Sequence, residues 1–228
     1  MTSLISFKDI SKAYNNNLVL DSIDFSVEAG EFVSLVGKSG VGKTTLLKLI
    51  IAEEQPSSGR VIFDGQEVNK LKGSQLSLIR RRVGTVFQDF KLFADRTVFE
   101  NVAFPLEVLN QPDDIITDHV GEVLKLVGLE SQRDQLPVCL SAGEKQRAAI
   151  ARALIHGPDI IIADEPTGNL DPINTWDIIK LLLKINELGT AIILTSHNKD
   201  VINKIGKRVI SLENGKVIRD ELNGQYII

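Results

Sequence analysis

The stretch GKSGVGKT, residues 37–44, constrains the fold more than any other part of the chain. It follows the apolar run FVSLV at 32–36 and precedes the run TTLLKLIIA at 44–52. A short strand, a glycine-rich loop and a buried helix are therefore expected in that order. The stretch fits the complete G-x-x-x-x-G-K-[ST] pattern of a phosphate-binding loop, in which backbone N–H groups surround the phosphates. Chance glycines between a strand and a helix are the weaker interpretation.

This loop predicts how a nucleotide would be held. The helix that follows it adds partial positive charge at its N-terminus, and Lys43 is placed to reach the β and γ phosphates. The hydroxyl of Thr44 is placed to ligate Mg²⁺. The predicted nucleotide-binding residues are Gly37, Lys38, Ser39, Gly40, Val41, Gly42, Lys43, Thr44 and Thr45.

A second motif, IIIADE at 160–165, ends an apolar strand with two carboxylates. A carboxylate has little structural reason to end a buried strand, so we expect Asp164 to hold Mg²⁺ directly or through water. Glu165 is placed to orient and polarise an attacking water molecule, and general bases of this kind typically contribute about 10²- to 10⁴-fold. A solvated acidic loop is the alternative, but the nearby phosphate-binding loop favours the catalytic interpretation.

Three further side chains are candidates because of where they stand. His197 follows the strand AIILTS, and Gln88 ends the strand VGTVF. At the C-terminal edge of a parallel sheet, where ligands bind, His197 is expected to contact the γ-phosphate and Gln88 to meet Mg²⁺ or the water. Tyr14 precedes a turn and offers a flat ring on which adenine can stack. By residue type alone, Gln88 and Tyr14 would be ordinary surface or half-buried side chains, whereas the position of His197 at this edge favours a functional role over that of a surface residue.

The stretch LSAGEKQR at 140–147 resembles a second anion-binding turn without a lysine. Ser141 is a good helix N-cap, Gly143 leaves room for close approach, and Glu144 starts the helix. A capped helix and nothing more is the alternative. The serine hydroxyl, the free N–H groups and the helix dipole together nevertheless favour a phosphate site.

Apolar patterning indicates an α/β fold with a helical segment inserted in it. Helices are expected at 101–109, 117–127 and 174–188, with another that starts after LSAGE and stops at Gly157–Pro158. The continuous apolar strands around the helix at 174–188 indicate a parallel βαβ unit. Alternating or apolar runs predict strands at 4–10, 19–27, 32–36, 60–63, 83–87, 160–163, 191–195, 208–212 and 216–219, with a turn at 15–17.

Composition narrows the range of partners. Lys and Arg number 26 against 30 Asp and Glu, which gives a formal charge of −4 and argues against a general footprint for nucleic acid. The single cysteine, Cys139, rules out an internal disulfide and suits a reducing compartment. No apolar run approaches the roughly 18 to 20 residues that span a bilayer, so a membrane role would come from a partner.

Taken in order, Tyr14, GKSGVGKT, Gln88, LSAGEKQR, IIIADE, GNLD at 168–171 and His197 resemble the ATP-binding cassette (ABC) ATPases over essentially the whole chain. The resemblance implies ATP hydrolysis, with ATP and Mg²⁺ as cofactors. It also implies an α/β fold: a P-loop NTPase core with a mixed sheet, an N-terminal antiparallel β subdomain and an inserted α-helical subdomain. One domain, 1–228, would consist of a RecA-like core at about 1–88 and 158–228 and a helical subdomain at about 89–157.

The same resemblance implies roles for the site residues. Glu165, His197 and Gln88 would be catalytic, Thr44, Gln88 and Asp164 would hold the metal, and Tyr14 would carry adenine. Two copies would pair head to tail, so that Ser141, Ala142, Gly143 and Glu144 bind the ATP held by the other copy. Asp171 would lie in the D-loop near the dimer axis.

One residue departs from the family pattern. Ala142 stands where the family usually has glycine, and its methyl group restricts that backbone position. We expect activity to survive, with affinity or rate open to change, and a nucleotide-binding switch without useful turnover stays an open alternative.

Two segments, 86–108 and 169–190, are similar to the cell-division cassettes of the FtsE type. That branch implies an integral membrane partner of the FtsX type, control of cell-wall hydrolysis in septation, and a peripheral location on the cytoplasmic face of the cell membrane at the division site. ATPases of the lipoprotein-release or macrolide-exporter type are the alternative. A soluble cassette acting on nucleic acid or ribosomes is a rival from another class, which the negative charge disfavours.

The residues after Gln88 are unusually apolar for a loop. They include Phe90, Leu92, Phe93, Val98 and Phe99. Each belongs either to the core of the helical segment or to a groove that docks a helix of a membrane partner. For the group as a whole, docking is the favoured interpretation.

Overall fold

The computed structural model describes residues 3–15 and 17–226, and these form two β-sheets and a set of helices. The predicted turn at 15–17 includes Asn16, which lies outside the described residues. The strands are β1 (Ile5–Tyr14), β2 (Asn17–Val27), β3 (Phe32–Val36), β4 (Ser58–Phe63), β5 (Gln66–Glu67), β6 (Val83–Phe87), β7 (Ile160–Asp164), β8 (Ala191–Ser196), β9 (Arg208–Glu213) and β10 (Lys216–Glu221). The α-helices are α1 (Lys43–Ile50), α2 (Gly73–Arg80), α3 (Val98–Val108), α4 (Asp113–Val127), α5 (Ala142–Leu154), α6 (Pro172–Glu187) and α7 (Lys199–Ile205).

The larger sheet has six strands in the order β10-β9-β3-β8-β7-β6. Strands β9, β3, β8, β7 and β6 are parallel, and β10 pairs antiparallel with β9. The smaller sheet is antiparallel, in the order β2-β1-β4-β5. The predicted mixed sheet and N-terminal antiparallel sheet are confirmed.

The larger sheet lies between two apolar cores. Phe32 and Val36 of β3 pack into one core, whereas Val33 and Leu35 pack into the other. Successive side chains of a strand point to opposite faces, so β3 is buried on both. Strands β7 and β8 alternate between the cores in the same way. The continuous apolar runs of the sequence follow from this two-sided burial.

Helices α3, α4 and α5 pack against one another beside the sheet and contribute to the first of these cores. Helix α3 begins three residues before its predicted start, with a capping box formed by Thr97 and Glu100. Helix α4 begins at Asp113, earlier than the predicted 117. The sequence patterns did not predict α2 and α7, which are eight and seven residues long. Within 3–15 and 17–226, no helix is both long and apolar enough to cross a bilayer.

Arg208 of β9 ties the two sheets together. Its guanidinium donates to both carboxylate oxygens of Asp220, at 2.6 and 2.7 Å, and to Glu31 Oε1 and the carbonyl of Ser26, each at 2.9 Å. Ser26 belongs to the antiparallel sheet, and the Arg208 side chain is only 14% exposed. Its removal would therefore leave two carboxylates without their shared partner.

We expect Arg208→Ala to lower the free energy of unfolding by about 3 kcal/mol, because breaking one partner of a largely buried charge network leaves uncompensated charge. Urea unfolding at neutral pH measures this. Arg219→Ala is the matched control: its guanidinium is half exposed and reaches Glu221 only at 4.0 Å, so the loss should stay within about 0.5 kcal/mol. Equal losses in the two variants would contradict the assignment of Arg208 as the link.

Candidate functional site

The loop at 37–44 has the backbone that its glycines allow. Gly42 caps α1 with φ of 108°, and a Cβ there would lie 2.5 Å from Leu20 Cδ2. A side chain at Gly37 would approach the carbonyl oxygen of Leu212 to 2.6 Å. Only glycine fits either position. Lys43, the first residue of α1, is buried, and its Nζ donates to the carbonyl of Gly37 at 2.8 Å. The ammonium group thus lies within the loop.

Asp164 joins the loop to the end of the sheet. One carboxylate oxygen accepts from the Thr44 hydroxyl at 2.8 Å, and the other accepts from the Thr195 hydroxyl at 2.7 Å. The strand register places Phe87, Asp164 and Thr195 side by side at the carboxyl edge of the sheet. Thr44 and Asp164 present oxygen atoms of the kind that Mg²⁺ prefers.

Glu165 has a backbone conformation that is costly for any residue other than glycine. Its φ is 49°, in the left-handed region. Its backbone N–H donates to the Thr195 hydroxyl at 2.9 Å. Its carboxylate pairs with His197 Nδ1 at 2.8 Å and lies 3.7 Å from Lys43 Nζ. The structure therefore brings the predicted general base, the predicted histidine and the loop lysine together at one point.

Gln88 lies in the exposed loop that follows β6. Its side-chain amide donates to Asn169 Oδ1 at 3.2 Å, and Asn169 Nδ2 donates to the backbone carbonyl of Gln88 at 3.1 Å. Gln88, Thr44 and Asp164 all line one cleft of about 320 Å³. The predicted metal-binding set thus shares a cavity, and Asn169 links Gln88 to the GNLD segment.

Two side chains of helix α5 hydrogen-bond to backbone carbonyls in the loop around Gln88. The side-chain amide of Gln146, which is fully buried, donates to the carbonyl of Phe87 at a long 3.5 Å. The guanidinium of Arg152 donates to the carbonyls of Lys91 at 2.7 Å and Phe90 at 3.2 Å. Phe90 and Lys91 both have positive φ, so Arg152 stabilises two consecutive residues in an unfavourable conformation.

Tyr14 lies at the end of β1 and is 38% exposed, with Lys12 Nζ 4.7 Å from its ring centroid. It does not line the two clefts that adjoin the phosphate-binding loop. One of these clefts is the Thr44 cleft described above. The other, also about 320 Å³, is lined by residues of the loop, of the start of β2 and of the β9–β10 turn. Tyr14 nevertheless pairs across the strands with Asn17, which lines the second cleft.

The turn at 141–144 forms a capping box at the start of α5. Glu144 N–H donates to Ser141 Oγ at 3.3 Å, and Ser141 N–H donates back to the Glu144 carboxylate at 2.8 Å. The Ser141 hydroxyl and amide hold the pKa of Glu144 below its usual value. Ala142 is exposed and helical, so its methyl group is accommodated without strain. Residues 141–144 line neither of the two clefts beside the phosphate-binding loop.

Asp171 caps α6. Its carboxylate accepts from the backbone N–H groups of Ile173 at 2.9 Å and Asn174 at 3.0 Å. These bonds, with the Asn174 N–H first, hold the pKa of Asp171 below its usual value. The sequence patterns gave no role to Thr195, nor to Asn169 within the GNLD motif. The positions themselves were the available signal, since Thr195 directly precedes Ser196–His197 and Asn169 lies within GNLD.

The apolar residues after Gln88 divide between core and surface. Val98 is 1% exposed and belongs to the core, so the core interpretation holds for this residue and the docking interpretation favoured for the group does not extend to it. Leu92 and Phe99 are partly buried and pack against the same core. Phe93 is 38% exposed and meets the Phe104 ring edge-on, with centroids 4.9 Å apart. An adjacent cavity of about 340 Å³ is lined by Ser77, Arg80, Arg81, Phe104, Pro105, Val108, Leu109 and His156.

Comparison with known proteins identifies the family. The ABC transporter family profile matches residues 20–168. The chain is 45% identical over 224 residues to the cell division ATP-binding protein FtsE of Bacillus subtilis, covering 98% of each chain. It is 43% identical to FtsE of Mycobacterium tuberculosis with the same coverage. It is also 42% identical to the methionine import ATP-binding protein MetN 2 of Bacillus cereus, of which it covers 66%.

Solved structures agree with this assignment. CbiO1 of Clostridium perfringens, part of the ABC transporter complex CbiONQ, superposes with a TM-score of 0.90 at 32% identity, covering 98% of this chain and 89% of that one. The dimeric cassette MJ0796 in a post-hydrolysis state bound to ADP and Pi superposes with a TM-score of 0.87 at 35% identity, covering 97% and 100%. This chain accordingly belongs to the ABC transporter family as an ATP-binding subunit that hydrolyses ATP, and FtsE proteins are among its similar relatives.

Proposed function

We propose that this chain is the ATPase of a cell-division complex, in which it drives an integral membrane partner of the FtsX type and so controls cell-wall hydrolysis. The observation that carries the proposal is the correspondence with FtsE relatives at 43–45% identity over 98% of both chains. The complex would lie at the division site, with this chain peripheral on the cytoplasmic face of the membrane. Methionine import is the second candidate, because MetN relatives reach 42% identity over 222 residues.

The chemistry of the site supports roles for the loop and the two acidic residues. The loop N–H groups and Lys43 would bind the ATP phosphates. Thr44, Asp164 and Gln88 would hold Mg²⁺, and a single carboxylate suits a cation that keeps several waters and binds phosphate oxygens. When bound, Mg²⁺ neutralises charge on the transferred phosphoryl group. Glu165 would accept the proton of the attacking water, while His197 holds the Glu165 carboxylate in place.

We expect Glu165→Gln to bind ATP with an affinity within about threefold of the parent and to lose at least about 100-fold in turnover, since the amide keeps the shape and loses the base. Phosphate release and titration with ATP measure the two quantities. Glu187→Gln, an exposed change at the end of α6, should leave both unchanged. A Glu165→Gln protein that hydrolyses ATP at the parent rate would exclude Glu165 as the base.

Two copies of the chain are proposed to enclose two ATP molecules. Cassette MJ0796 is dimeric in its solved structures. The turn at 141–144 starts α5 at an exposed N-cap, Ser141, and it lines neither cleft of its own phosphate-binding loop. Ser141 to Glu144 would therefore contact the ATP of the other copy, with Asp171 near the dimer axis and Tyr14 against adenine.

Complementation tests this arrangement. Ser141→Arg should leave ATP binding intact and block hydrolysis, whereas Lys43→Ala should prevent ATP binding because it removes the cation at the phosphates. A mixture of the two should regain activity, since the heterodimer contains one composite site built from the unchanged halves. The activity of the mixture is compared with that of each variant alone. Absence of any rescue, despite heterodimers shown by differential tagging, would refute action between copies.

The partner is proposed to dock on the exposed apolar surface formed by Phe93, Phe104, Pro105, Val108 and Leu109. Val108 is 56% exposed, and this surface adjoins the loop after Gln88. An amphipathic helix of the partner would lay its apolar face there. Phe104, Pro105 and Val108 lie on α3, with Phe93 before the helix and Leu109 directly after it. All of them belong to the segment at 89–157 that we propose as the helical subdomain, between core segments at 1–88 and 158–228. ATP binding at Gln88 would move the docked helix.

We expect Phe93→Asp to lower co-purification of an FtsX-type partner from detergent-solubilised membranes at least about tenfold, which corresponds to about 1.4 kcal/mol. The carboxylate would face Arg96 and Arg152 in the free chain, so the fold should tolerate it. ATP affinity should stay at the parent value. Leu222→Asp is the matched control, because Leu222 is 76% exposed and belongs to another surface. Capture of the partner at parent levels by folded Phe93→Asp would place the docking surface elsewhere.

A further inference from the structure

The space that a side chain at Gly143 would fill is occupied by Asn174 of the same chain. Gly143 is the second residue of α5 and is buried, with helical backbone that any residue adopts. A Cβ at Gly143 would lie 2.9 Å from Asn174 Cγ and closer still to Asn174 Oδ1. Real Cβ atoms do not make such contacts, so any side chain at position 143 would have to displace Asn174. The direction of the missing side chain points toward α6 rather than toward solvent.

Asn174 is itself fixed. Its side-chain Nδ2 donates to Asp171 Oδ2, and its backbone N–H donates to Asp171 Oδ1 at 3.0 Å. Because Nδ2 is bound to Asp171, Oδ1 is turned toward Gly143. Asn174 cannot move away from Gly143 without loss of its side-chain bond to the N-cap of α6. The contact therefore joins two segments that are about 30 positions apart in the sequence.

The turn on the other side of the contact is equally constrained. Ser141 and Glu144 are bound reciprocally in the capping box, and Glu144 also accepts from Gln132 Nε2 at 3.0 Å. Neither the turn nor the Asp171 cap can adjust locally without breaking these bonds. A displacement of one segment is transmitted to the other through the packed side chain of Asn174.

We propose that Asn174 is a positioning residue that locks the turn at 141–144 to the Asp171 cap, and that Gly143 is glycine in order to admit it. The two segments then move as one body. This inference rests on the proposed function, in which both segments face the second copy. It explains the glycine at position 143 by a contact within the same chain. Close approach to a phosphate would instead explain it by a contact with the ATP held by the other copy.

A double-mutant cycle of Gly143→Ala and Asn174→Ala distinguishes a contact with Asn174 from a contact with the phosphate of the other copy's ATP. We expect Gly143→Ala alone to reduce turnover at least about tenfold, with ATP affinity of the isolated chain unchanged, because its methyl group displaces Asn174 and the turn. Asn174→Ala alone should reduce turnover about threefold, a size typical of one lost hydrogen bond. With Asn174 truncated to alanine, its Cβ would lie at the ordinary distance of 3.4 Å from the new methyl group. Gly143→Ala should then cost less than about twofold further.

The melting temperature gives a second cycle that does not depend on turnover. Gly143→Ala should lower Tm by about 3 °C or more in the parent and by less than about 1 °C in the Asn174→Ala background. Gly121→Ala is the matched control. Gly121 lies inside α4, and among the described residues a methyl group there would have no atom within 4 Å apart from its chain neighbours and the backbone of its own helix. The variant should keep parent turnover and should not lower Tm, because alanine favours a helix interior over glycine.

Each outcome decides the matter. An equal loss of turnover from Gly143→Ala in both backgrounds would overturn the inference and assign the glycine to contact with the bound nucleotide. So would a Gly143→Ala protein with parent Tm and turnover. If the Tm cycle shows the coupling but mixing of Ser141→Arg with Lys43→Ala gives no rescue, the contact stands and action between copies fails. Coupling in Tm without coupling in turnover would reduce Asn174 to a purely structural role and refute the positioning role.

Discussion

The site depends on the two hydrogen bonds that Asp164 accepts, one from Thr44 and one from Thr195. Thr44 follows β3, Asp164 ends β7, and Thr195 lies near the end of β8. These three strands are parallel neighbours in the sheet, so their carboxyl ends meet at one edge. A one-residue slip of β7 would turn Asp164 away and break both bonds. The register of the parallel sheet is therefore what creates the site.

Thr195 extends the same constraint to Glu165. Its hydroxyl donates to Asp164 and accepts from the backbone N–H of Glu165, so one buried side chain orients two acidic residues. Left-handed backbone at a residue such as Glu165 costs about 1–3 kcal/mol and persists only where its surroundings over-determine it. Here the Thr195 bond fixes the backbone, while His197 fixes the carboxylate. The strain points the carboxylate toward Lys43 and the phosphate-binding loop.

The sequence was sufficient to predict the parts of the fold in which apolar residues or glycines recur at a regular spacing. Strand β3, buried on both faces, has the sequence FVSLV, and the loop that follows it carries its glycines at fixed spacing. Helix α7 was not predicted because a seven-residue helix shows barely two turns of periodicity. Thr195 and Asn174 were not predicted to have a role because threonine and asparagine are common at strand and helix ends. Thr195 bonds to Asp164 and Asn174 contacts Gly143, each 31 positions away in the sequence. No local pattern reveals partners so distant.

Helix α5 gives these separate contacts a common mechanical element. Its N-terminus carries the turn at 141–144, while Gln146 and Arg152 hold the loop around Gln88 through three backbone carbonyls. A helix of this length spans about 20 Å and is stiff on that scale, so movement of the Gln88 loop is passed along it. The amide of Gln146 bonds Phe87 at the limit of hydrogen-bond distance, and its Oε1 has no partner within the described residues. The connection between the loop around Gln88 and the turn at 141–144 thus runs through α5, with two hydrogen bonds from Arg152 and one long hydrogen bond from Gln146.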